Sequence, residues 1–497
     1  MIPIRSSGVL LHLSSLPGPY GIGSMGEAAF RFVDFLQDAG QRYWQVLPLV
    51  PPGGGYSPYQ SHSSIAGNPF LIDLDKLHAD ALLTEEELRS ARHEATDQVD
   101  FDFLAKTRMS LLYIAFSRCT PELADAVSAF TIAQKSWLPD YALFAALQDH
   151  FDGAALSSWP DQAIVRRTPA AINRYCRLLA EQIQFHCFLQ YLFFTQWQAL
   201  KNYANDRDIS IIGDLPFYLS ADSADVWVNP SLFRVDGKRA PRYFSGVPAD
   251  SFSPAGQHWG MPLYAWKNHE KEDFAFWKQR ILNALSQFDL LRIDHFRAIH
   301  SFWEIPADAE TAADGRWKKG PGQKLLDVFF SVGTKDRFLA EDLGDLSEAA
   351  HSFVAGSGLP TMAVLTDAFT PAYDNAFLPH NVTPDTVYYT STHDTPTFYQ
   401  FLTEQADDAS RAFATDYLRL QESEGYTWGA IAGAFASPAR LVICPLQDIL
   451  SLGSDARMNT PGTVGFPNWA WRVRGEALNA AVSSHLRHLT LVYRRMQ

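Results

Sequence analysis

The fold is decided by a stretch that reads FAFWKQRILNALSQFDLLRIDHF over residues 274–296. Apolar residues recur at helical spacing over 274–288, and a short apolar run then ends on the polar residues of RIDHF. A strand that is apolar on consecutive positions is typical of a parallel sheet covered on both faces. The stretch therefore predicts one helix–strand unit of an α/β protein.

Seven other runs have the same character, so that eight strands are predicted in all. They are GVLLHLSS (8–15), YWQVLPL (43–49), ISIIGDLP (209–216), RFLAEDLG (337–344), TMAVLTDAF (361–369), TVYYTSTHD (386–394) and ARLVICPLQD (439–448). Helical segments lie between most of them, which is the pattern of a (β/α)8 TIM barrel. An open doubly wound sheet is the competing architecture, but no GxGxxG follows the first run.

The connections between the strands differ in length, which predicts where additional structure lies. Residues 75–170 have mostly helical periodicity, and we expect a mainly helical insertion after strand 2. Residues 217–273 are rich in Pro, Gly, Trp and Tyr without clear periodicity, and we expect a loop subdomain at the binding site. Residues 1–74 then hold the first two strands and an aromatic loop, and 171–497 hold the rest of the barrel.

Composition and charge exclude several classes of function. Of the 497 residues, 47% are hydrophobic and 19% are charged, as in globular proteins. The net charge of −14 argues against nucleic acid and anionic membranes as partners. No apolar run approaches the roughly 20 residues that span a bilayer, and the start shows no clear signal peptide. The four cysteines lack CxxC spacing, so we expect a cytoplasmic protein without a disulfide framework.

Active sites of this fold lie at the carboxyl ends of the strands. The polar residues there are Asp214, Asp294, His295, Glu341, Asp342, His393, Asp394 and Asp448. Each acid taken alone is also explained as a helix cap or a loop ion pair. Several carboxylates that converge without a metal or cofactor motif instead suggest acid–base and nucleophilic chemistry. Glycoside cleavage is the main example, because its transition state carries positive charge.

Two neighbours of these acids bear on their charge. Arg292 lies two residues before Asp294, so strand alternation places both side chains on one face. A guanidinium at that range lowers the pKa of a carboxyl, as a nucleophile requires, although a structural ion pair is equally compatible. Asp342 follows Glu341, and a nearby like charge raises a carboxyl pKa towards the range of a general acid.

Aromatic loops beside the strand ends predict a surface for sugar rings. They are PPGGGYSPYQ (51–60), GVPADSFSPAGQHWGMPLYAW (246–266) and ARMNTPGTVGFPNWAW (456–471). The candidate substrate contacts within them are Ser57, Tyr59, Gln257, Trp259 and Asn459. The simpler interpretation, that aromatic residues only pack the loops against the barrel, is what we expect for Tyr264 and Trp266.

Several long motifs, in order along nearly the whole chain, carry a family resemblance. They are YWQVLPLVPPGGGYSPYQSHSSIAGNPFLIDLD (43–75), IIGDLPFYLSADSADVWVNPSLF (211–233), GQHWGMPLYAW (256–266), RIDHFR (292–297), AEDLG (340–344), STHD (391–394) and PLQDILSLGSDARMN (445–459). The sequence resembles the 4-α-glucanotransferases known as amylomaltase or disproportionating enzyme, which form glycoside hydrolase family 77 of the α-amylase clan.

The resemblance implies a role for each matching residue. Asp294 would be the nucleophile, Glu341 the general acid/base and Asp394 the stabiliser of the transition state. Residues that would hold the sugar at the cleavage point are Asp214, Arg292, His295 and His393, with further substrate contacts from Tyr59, Gln257 and Trp259. The family requires no organic cofactor and no catalytic metal. The expected partners are maltooligosaccharides and other α-1,4-glucans, in bacterial cytosolic maltodextrin metabolism.

Three alternatives to a retaining transfer of α-1,4-glucan segments stay open at this point. An α-amylase-like hydrolase would use the same residues with water as the acceptor. A non-catalytic glucan-binding barrel would not need the three acids. A metal hydrolase would be expected to carry an HxH pair on the first strand, where His12 stands alone. The sequence does not determine the oligomeric state.

Overall fold

The computed structural model describes residues 5–93, 96–249, 255–370 and 372–496. Within these ranges the strands, in chain order, are β1 (Ser6–Leu10), β2 (Tyr43–Gln45), β3 (Ser210–Leu215), β4 (Tyr243–Val247), β5 (Gln257–Pro262), β6 (Leu290–Ile293), β7 (Ser301–Pro306), β8 (Arg316–Lys319), β9 (Phe338–Ala340), β10 (Thr361–Val364), β11 (Thr386–Tyr389) and β12 (Leu441–Pro445).

Eight of these strands form a parallel barrel. Their order is β10-β11-β12-β1-β2-β3-β6-β9, and a hydrogen bond from Ala340 N to Pro360 O (2.8 Å) joins the last strand to the first. Each of the eight apolar runs contributes one strand, and the residues of β1, β6 and β12 are all buried. The expected (β/α)8 barrel is therefore confirmed, because strands apolar on both faces pack inward on each other and outward on helices.

The helices that surround and extend the barrel are α1 (Glu27–Asp38), α2 (Leu74–Ala79), α3 (Glu85–Ala91), α4 (Phe101–Ser117), α5 (Pro121–Ala133), α6 (Leu138–His150), α7 (Gln162–Val165), α8 (Pro169–Leu178), α9 (Ala180–Asn205), α10 (Ala224–Val228), α11 (Trp266–Lys271), α12 (Ala275–Gln287), α13 (Gln323–Val332), α14 (Glu348–Ser357), α15 (Phe398–Gln400), α16 (Asp408–Leu418), α17 (Tyr426–Ala436), α18 (Leu446–Ile449) and α19 (Ala480–Val492). In α12, Trp277, Ile281, Ala284 and Leu285 are buried one turn apart, as the helical spacing predicts.

The connection between β2 and β3 contains α2 to α9 and a hydrophobic cluster of its own. Trp137, Phe144 and Trp159 lie in this cluster, which is separate from the barrel core and is joined by Trp227 of α10, after β3. The two helices α8 and α9 are separated at Leu179, whose φ of −110° and ψ of 27° end α8 before α9 begins.

The segment 217–273 contains more regular structure than its sequence indicated. Its strands β4 and β5 pair antiparallel and join β7 and β8 in a second sheet of order β5-β4-β7-β8. The strand pairing is long-range, since β4 bonds to residues 303–306 beyond the fourth barrel strand, and local periodicity does not record it. Asp250 to Pro254 of the predicted aromatic loop lie outside the described residues.

Across the described residues, no helix combines the length and apolar character needed to cross a membrane.

Candidate active site

A cavity of about 730 Å³ opens at the carboxyl ends of the barrel strands. Asp294, Glu341 and Asp394, which follow β6, β9 and β11, all line it. The predicted contacts that also line it are Ser57, Tyr59, Gln257, Trp259, Arg292, His295, His393 and Asn459. The structure therefore brings these predicted residues together around one cavity.

Asp214 differs from the other predicted residues because it lies behind the cavity wall. Its side chain has no exposed surface, and its Oδ2 accepts a hydrogen bond from Arg292 Nη1 at 2.6 Å. Asp214 and Arg292 are paired residues of β3 and β6, so the barrel register itself sets this contact. In this position Asp214 contacts cavity-lining side chains and does not form the cavity surface.

Asp294 shares the guanidinium of Arg292. Arg292 Nη1 donates to Asp294 Oδ1 at 3.1 Å, which confirms that the two side chains lie on the same face. Burial raises the pKa of Asp294, Arg292 opposes this effect, and the charges of Asp214, Glu341 and Asp394 add to it, so that the net shift is upward. Burial, together with the neighbouring acids, therefore outweighs the single cation in setting the pKa of Asp294.

Glu341 is held by the backbone around it. His295 N donates to Glu341 Oε2 at 2.7 Å, and Leu343 N donates to Oε1 at 2.9 Å. His295 adopts a left-handed conformation with φ of 47°, directly after Asp294, where the chain turns towards β9. Burial raises the pKa of Glu341, against Arg292 and the two amides, while Asp394 adds to the rise. The sequence predicts that the charge of Asp342 raises the pKa of Glu341, whereas burial is the largest cause of the rise. The Asp342 carboxylate instead accepts a hydrogen bond from Met362 N, at 2.9 Å from Oδ1.

Asp394 lies between His393 and Asn459. Its Oδ2 is 3.2 Å from His393 Nε2, and its Oδ1 accepts from Asn459 Nδ2 at 2.7 Å. Burial raises the pKa of Asp394, but His393, Asn459 and Arg292 together hold it well below its usual range. In return, the charge of Asp394 raises the pKa of His393 against the effect of burial. Asp394 is therefore the one of these three acids whose pKa is lowered, while those of Asp294 and Glu341 are raised.

Tyr59 connects the two sides of the site. Its hydroxyl donates to Asp214 Oδ2 at 2.8 Å and lies 3.0 Å from His393 Nε2. Its ring stacks on His393 with centroids 5.4 Å apart and an interplanar angle of 7°. On the opposite side, Trp259 meets His295 edge to face at 4.8 Å and donates to Gln257 Oε1 at 3.1 Å. These aromatic faces border the cavity next to the carboxylates.

Sequence reasoning missed other residues of the cavity wall. Arg297, the last residue of RIDHFR, lines the cavity and donates to Asp345 O at 2.7 Å. Arg457 and Asp367 also line it, together with Tyr218. Arg297 and Arg457 lie within the family motifs, close in sequence to predicted site residues. That closeness could have indicated that they also line the cavity. Tyr264 and Trp266 pack on Phe217 and Trp277, as expected of structural aromatic residues.

The described residues contain no group of three or more His, Cys, Asp or Glu side chains placed to hold a metal ion.

The protein has a (β/α)8 barrel, with carboxylates at the ends of its strands and aromatic loops beside them. This combination is typical of barrel enzymes that act on carbohydrates. Comparison with known proteins narrows this class. The profile of the 4-alpha-glucanotransferase family, glycoside hydrolase 77, matches residues 11–479. The chain belongs to this family, and it is an enzyme that transfers glucan segments.

Individual relatives agree with the family assignment. The chain is 42% identical to a 4-alpha-glucanotransferase of Thermus thermophilus, over 99% of each protein. It is 39% identical to that of Clostridium butyricum, over 98% of this chain and 100% of the relative. An amylomaltase from Streptococcus agalactiae, solved in complex with acarbose, is 38% identical with a TM-score of 0.96, over 99% of this chain and 100% of that one.

Proposed function

We propose that the protein transfers α-1,4-glucan segments between maltooligosaccharides by a retaining double displacement. Asp294 is the nucleophile, Glu341 is the general acid/base and Asp394 stabilises the transition state. The main observation behind the proposal is that three acids line one cavity and that each has a different neighbour. Asp294 faces a guanidinium, Glu341 faces backbone amides and Asp394 faces an imidazole.

The surroundings of Asp294 and Glu341 affect how these two acids share a proton. Burial and mutual repulsion raise the pKa of Asp294 and of Glu341, so the pair holds its first proton more tightly than two separate acids. Arg292, at 3.1 Å from Asp294 Oδ1, favours the negative charge on Asp294. The proposed roles place the shared proton on Glu341, because a nucleophile must be ionised while the acid beside it is protonated.

The first displacement forms a covalent intermediate. An oxygen of Asp294 bonds to the anomeric carbon of the donor while the bond from that carbon to the bridging oxygen breaks. Glu341 gives its proton to the bridging oxygen, and the leaving glucan departs with a free 4-hydroxyl. Asp394, held ionised by His393 and Asn459, lies where its charge stabilises the oxocarbenium-like transition state.

The second displacement returns the enzyme to its starting state. The 4-hydroxyl of an acceptor glucan gives its proton to Glu341 as its oxygen bonds to the anomeric carbon. The bond to Asp294 breaks, and two inversions leave the α-configuration unchanged. Transfer exceeds hydrolysis when an acceptor sugar displaces water from the cavity. Described residues of all three aromatic segments, including Tyr59, Trp259 and Val464, line the cavity and support this exclusion.

The partners and location follow from the same proposal. Maltooligosaccharides serve as both donor and acceptor, and the net charge of −14 opposes binding to nucleic acid. We place the reaction in the cytoplasm, in agreement with four cysteines that form no disulfide.

Incubation with maltotriose tests the reaction itself. We expect glucose together with a ladder of longer maltooligosaccharides, separated by anion-exchange chromatography. Conversion to glucose and maltose without longer products would favour the hydrolase. Asp294→Ala should abolish the ladder, and unchanged turnover in that variant would favour the non-catalytic barrel. Asp374→Asn, an exposed acid outside the cavity lining, is the matched control for lost charge.

A second experiment separates the nucleophile from the acid. With α-maltosyl fluoride the leaving group needs no proton, so Glu341→Gln should still perform the first displacement. The covalent maltosyl-enzyme should then accumulate and appear in the intact-protein mass spectrum, with the sugar on Asp294 after peptide mapping. A label on another residue would contradict the assignment of Asp294.

A further inference from the structure

The segment that follows α18 forms part of the cavity wall and is braced internally. Residues 460–465 line the cavity, and we refer to residues 460–469 as the lid segment. Thr460 N donates to Asn468 Oδ1 at 3.0 Å, and Asn468 Nδ2 donates to Thr463 Oγ1 at 2.8 Å. These bonds hold the lid segment without any contact to the three acids.

Arg457 lies directly before the lid segment and joins two backbones. Its Nη2 donates to the main-chain oxygen of Asp394 at 2.7 Å, and its Nε donates to the main-chain oxygen of Asn459 at 2.8 Å. Within the described residues Arg457 has no carboxylate within ion-pair distance. A half-buried guanidinium that binds two carbonyl oxygens fixes the separation of those two chain segments.

The two segments joined by Arg457 are the ones that orient the Asp394 carboxylate. Asn459 Nδ2 donates to Asp394 Oδ1 at 2.7 Å, and His393 Nε2 lies 3.2 Å from Oδ2. If the backbone of Asn459 moved away from that of Asp394, the amide would lose its bond to Oδ1. The carboxylate would then be free to rotate about its side-chain bonds.

We infer that Arg457 is a positioning residue, which keeps Asn459 in place so that the Asp394 carboxylate holds one orientation towards the reacting sugar. The inference rests on the proposed role of Asp394. Because Asp394 acts on charge that develops only in the transition state, a loss of its orientation lowers kcat more than it weakens substrate binding. If Arg457 only supported the lid segment, its loss would raise KM and leave kcat nearly unchanged.

The test first compares the kinetics of maltotriose disproportionation in three single variants. Arg457→Met, which keeps the length of the side chain, should lower kcat by about tenfold or more while KM changes by less than about twofold. Arg457→Lys, which keeps the charge and can reach one carbonyl, should recover part of kcat. Asn468→Ala is the control for the lid segment, and it should raise KM and leave kcat within about twofold.

A double-mutant cycle supplies the decisive result. Asn459→Leu should lower kcat as Arg457→Met does, and the double variant should lose little more than either single variant, because both act through one carboxylate. Independent, multiplicative losses would overturn the inference, as would an Arg457→Met variant that changes KM alone. The variant Asp394→Asn separates the inference about Arg457 from the proposed role of Asp394. If Asp394→Asn keeps wild-type kcat, the proposed function of Asp394 is wrong whatever Arg457 does.

If Arg457→Met does not fold, as judged by circular dichroism, the cycle is run with Arg457→Lys against Asn459→Leu. The same subadditive loss in kcat is expected, and multiplicative losses again contradict the inference.

Discussion

Replacing Tyr59 with phenylalanine removes one hydroxyl from the centre of the site and keeps the ring that stacks on His393 at 5.4 Å. The hydroxyl has a single proton and two partners, Asp214 Oδ2 at 2.8 Å and His393 Nε2 at 3.0 Å. Asp214, paired with Arg292, can only accept, so the phenolic proton lies on the Asp214 side. His393 then carries a proton on Nε2 and donates it to the Tyr59 oxygen and to Asp394.

The magnitude follows from the kind of bond that is lost. Tyr59→Phe removes a hydrogen bond to a charged, fully enclosed acceptor, for which a cost of about 1.5–3 kcal/mol of unfolding free energy is typical. Tyr389→Phe is a matched control, because Tyr389 is also buried but its hydroxyl donates to the neutral Gln45 Oε1 at 2.8 Å. A neutral pair is worth about 0.5–1.5 kcal/mol. We therefore expect Tyr59→Phe to be the more destabilising of the two by about 1 kcal/mol.

Urea unfolding followed by tryptophan fluorescence measures the difference, since the chain has 13 tryptophans. Both variants are compared with the wild type at pH 7. Equal losses in the two variants would refute the assignment of the phenolic proton to Asp214. A larger loss in Tyr389→Phe would show in addition that the charge of Asp214 does not strengthen the bond.

Two further predictions concern pH. Burial raises the pKa of Asp367 to about 6, and no cation among the described residues lies within ion-pair distance of its carboxylate. Because the folded state then pays for an ionised acid above pH 6, Asp367→Asn should be more stable than the wild type at pH 8 by about 1–2 kcal/mol. The gain should vanish at about pH 3, below the folded and the unfolded pKa, where Asp367 is protonated in both states. Thermal melting at both pH values checks this, and a gain that persists at about pH 3 contradicts it. Separately, Asp394→Asn removes the charge that raises the pKa of His393 and leaves burial, which lowers it. Histidine-selective NMR should show His393 titrating at lower pH in the variant than in the wild type. His295, whose pKa burial lowers to about 3, should be unchanged and is the internal control. If the pKa of His393 does not change, Asp394 does not set the charge of His393.

The sequence predicted the barrel because each strand is buried on both faces and so leaves an apolar run in the chain. It also predicted the contact of Arg292 with Asp294, since two residues of one strand share a face by geometry alone. The bond from Asn459 to Asp394 was not predictable in this way, because it joins residues 65 positions apart through the path of a loop. The same limit applies to the second sheet, because β4 pairs with β7, which follows the fourth barrel strand, and β8 then pairs with β7.

The position of Asp214 connects a loop tyrosine, Tyr59, with the proposed nucleophile Asp294. Arg292 uses the same nitrogen, Nη1, for Asp214 at 2.6 Å and for Asp294 at 3.1 Å. The shorter bond goes to the fully enclosed carboxylate of Asp214, so Asp294 has one longer bond to the guanidinium instead of a bidentate pair. Tyr59 donates to Asp214, so hydrogen bonds connect Tyr59, Asp214, Arg292 and Asp294 in series, and Asp214 acts on the proposed nucleophile through the guanidinium that the two acids share.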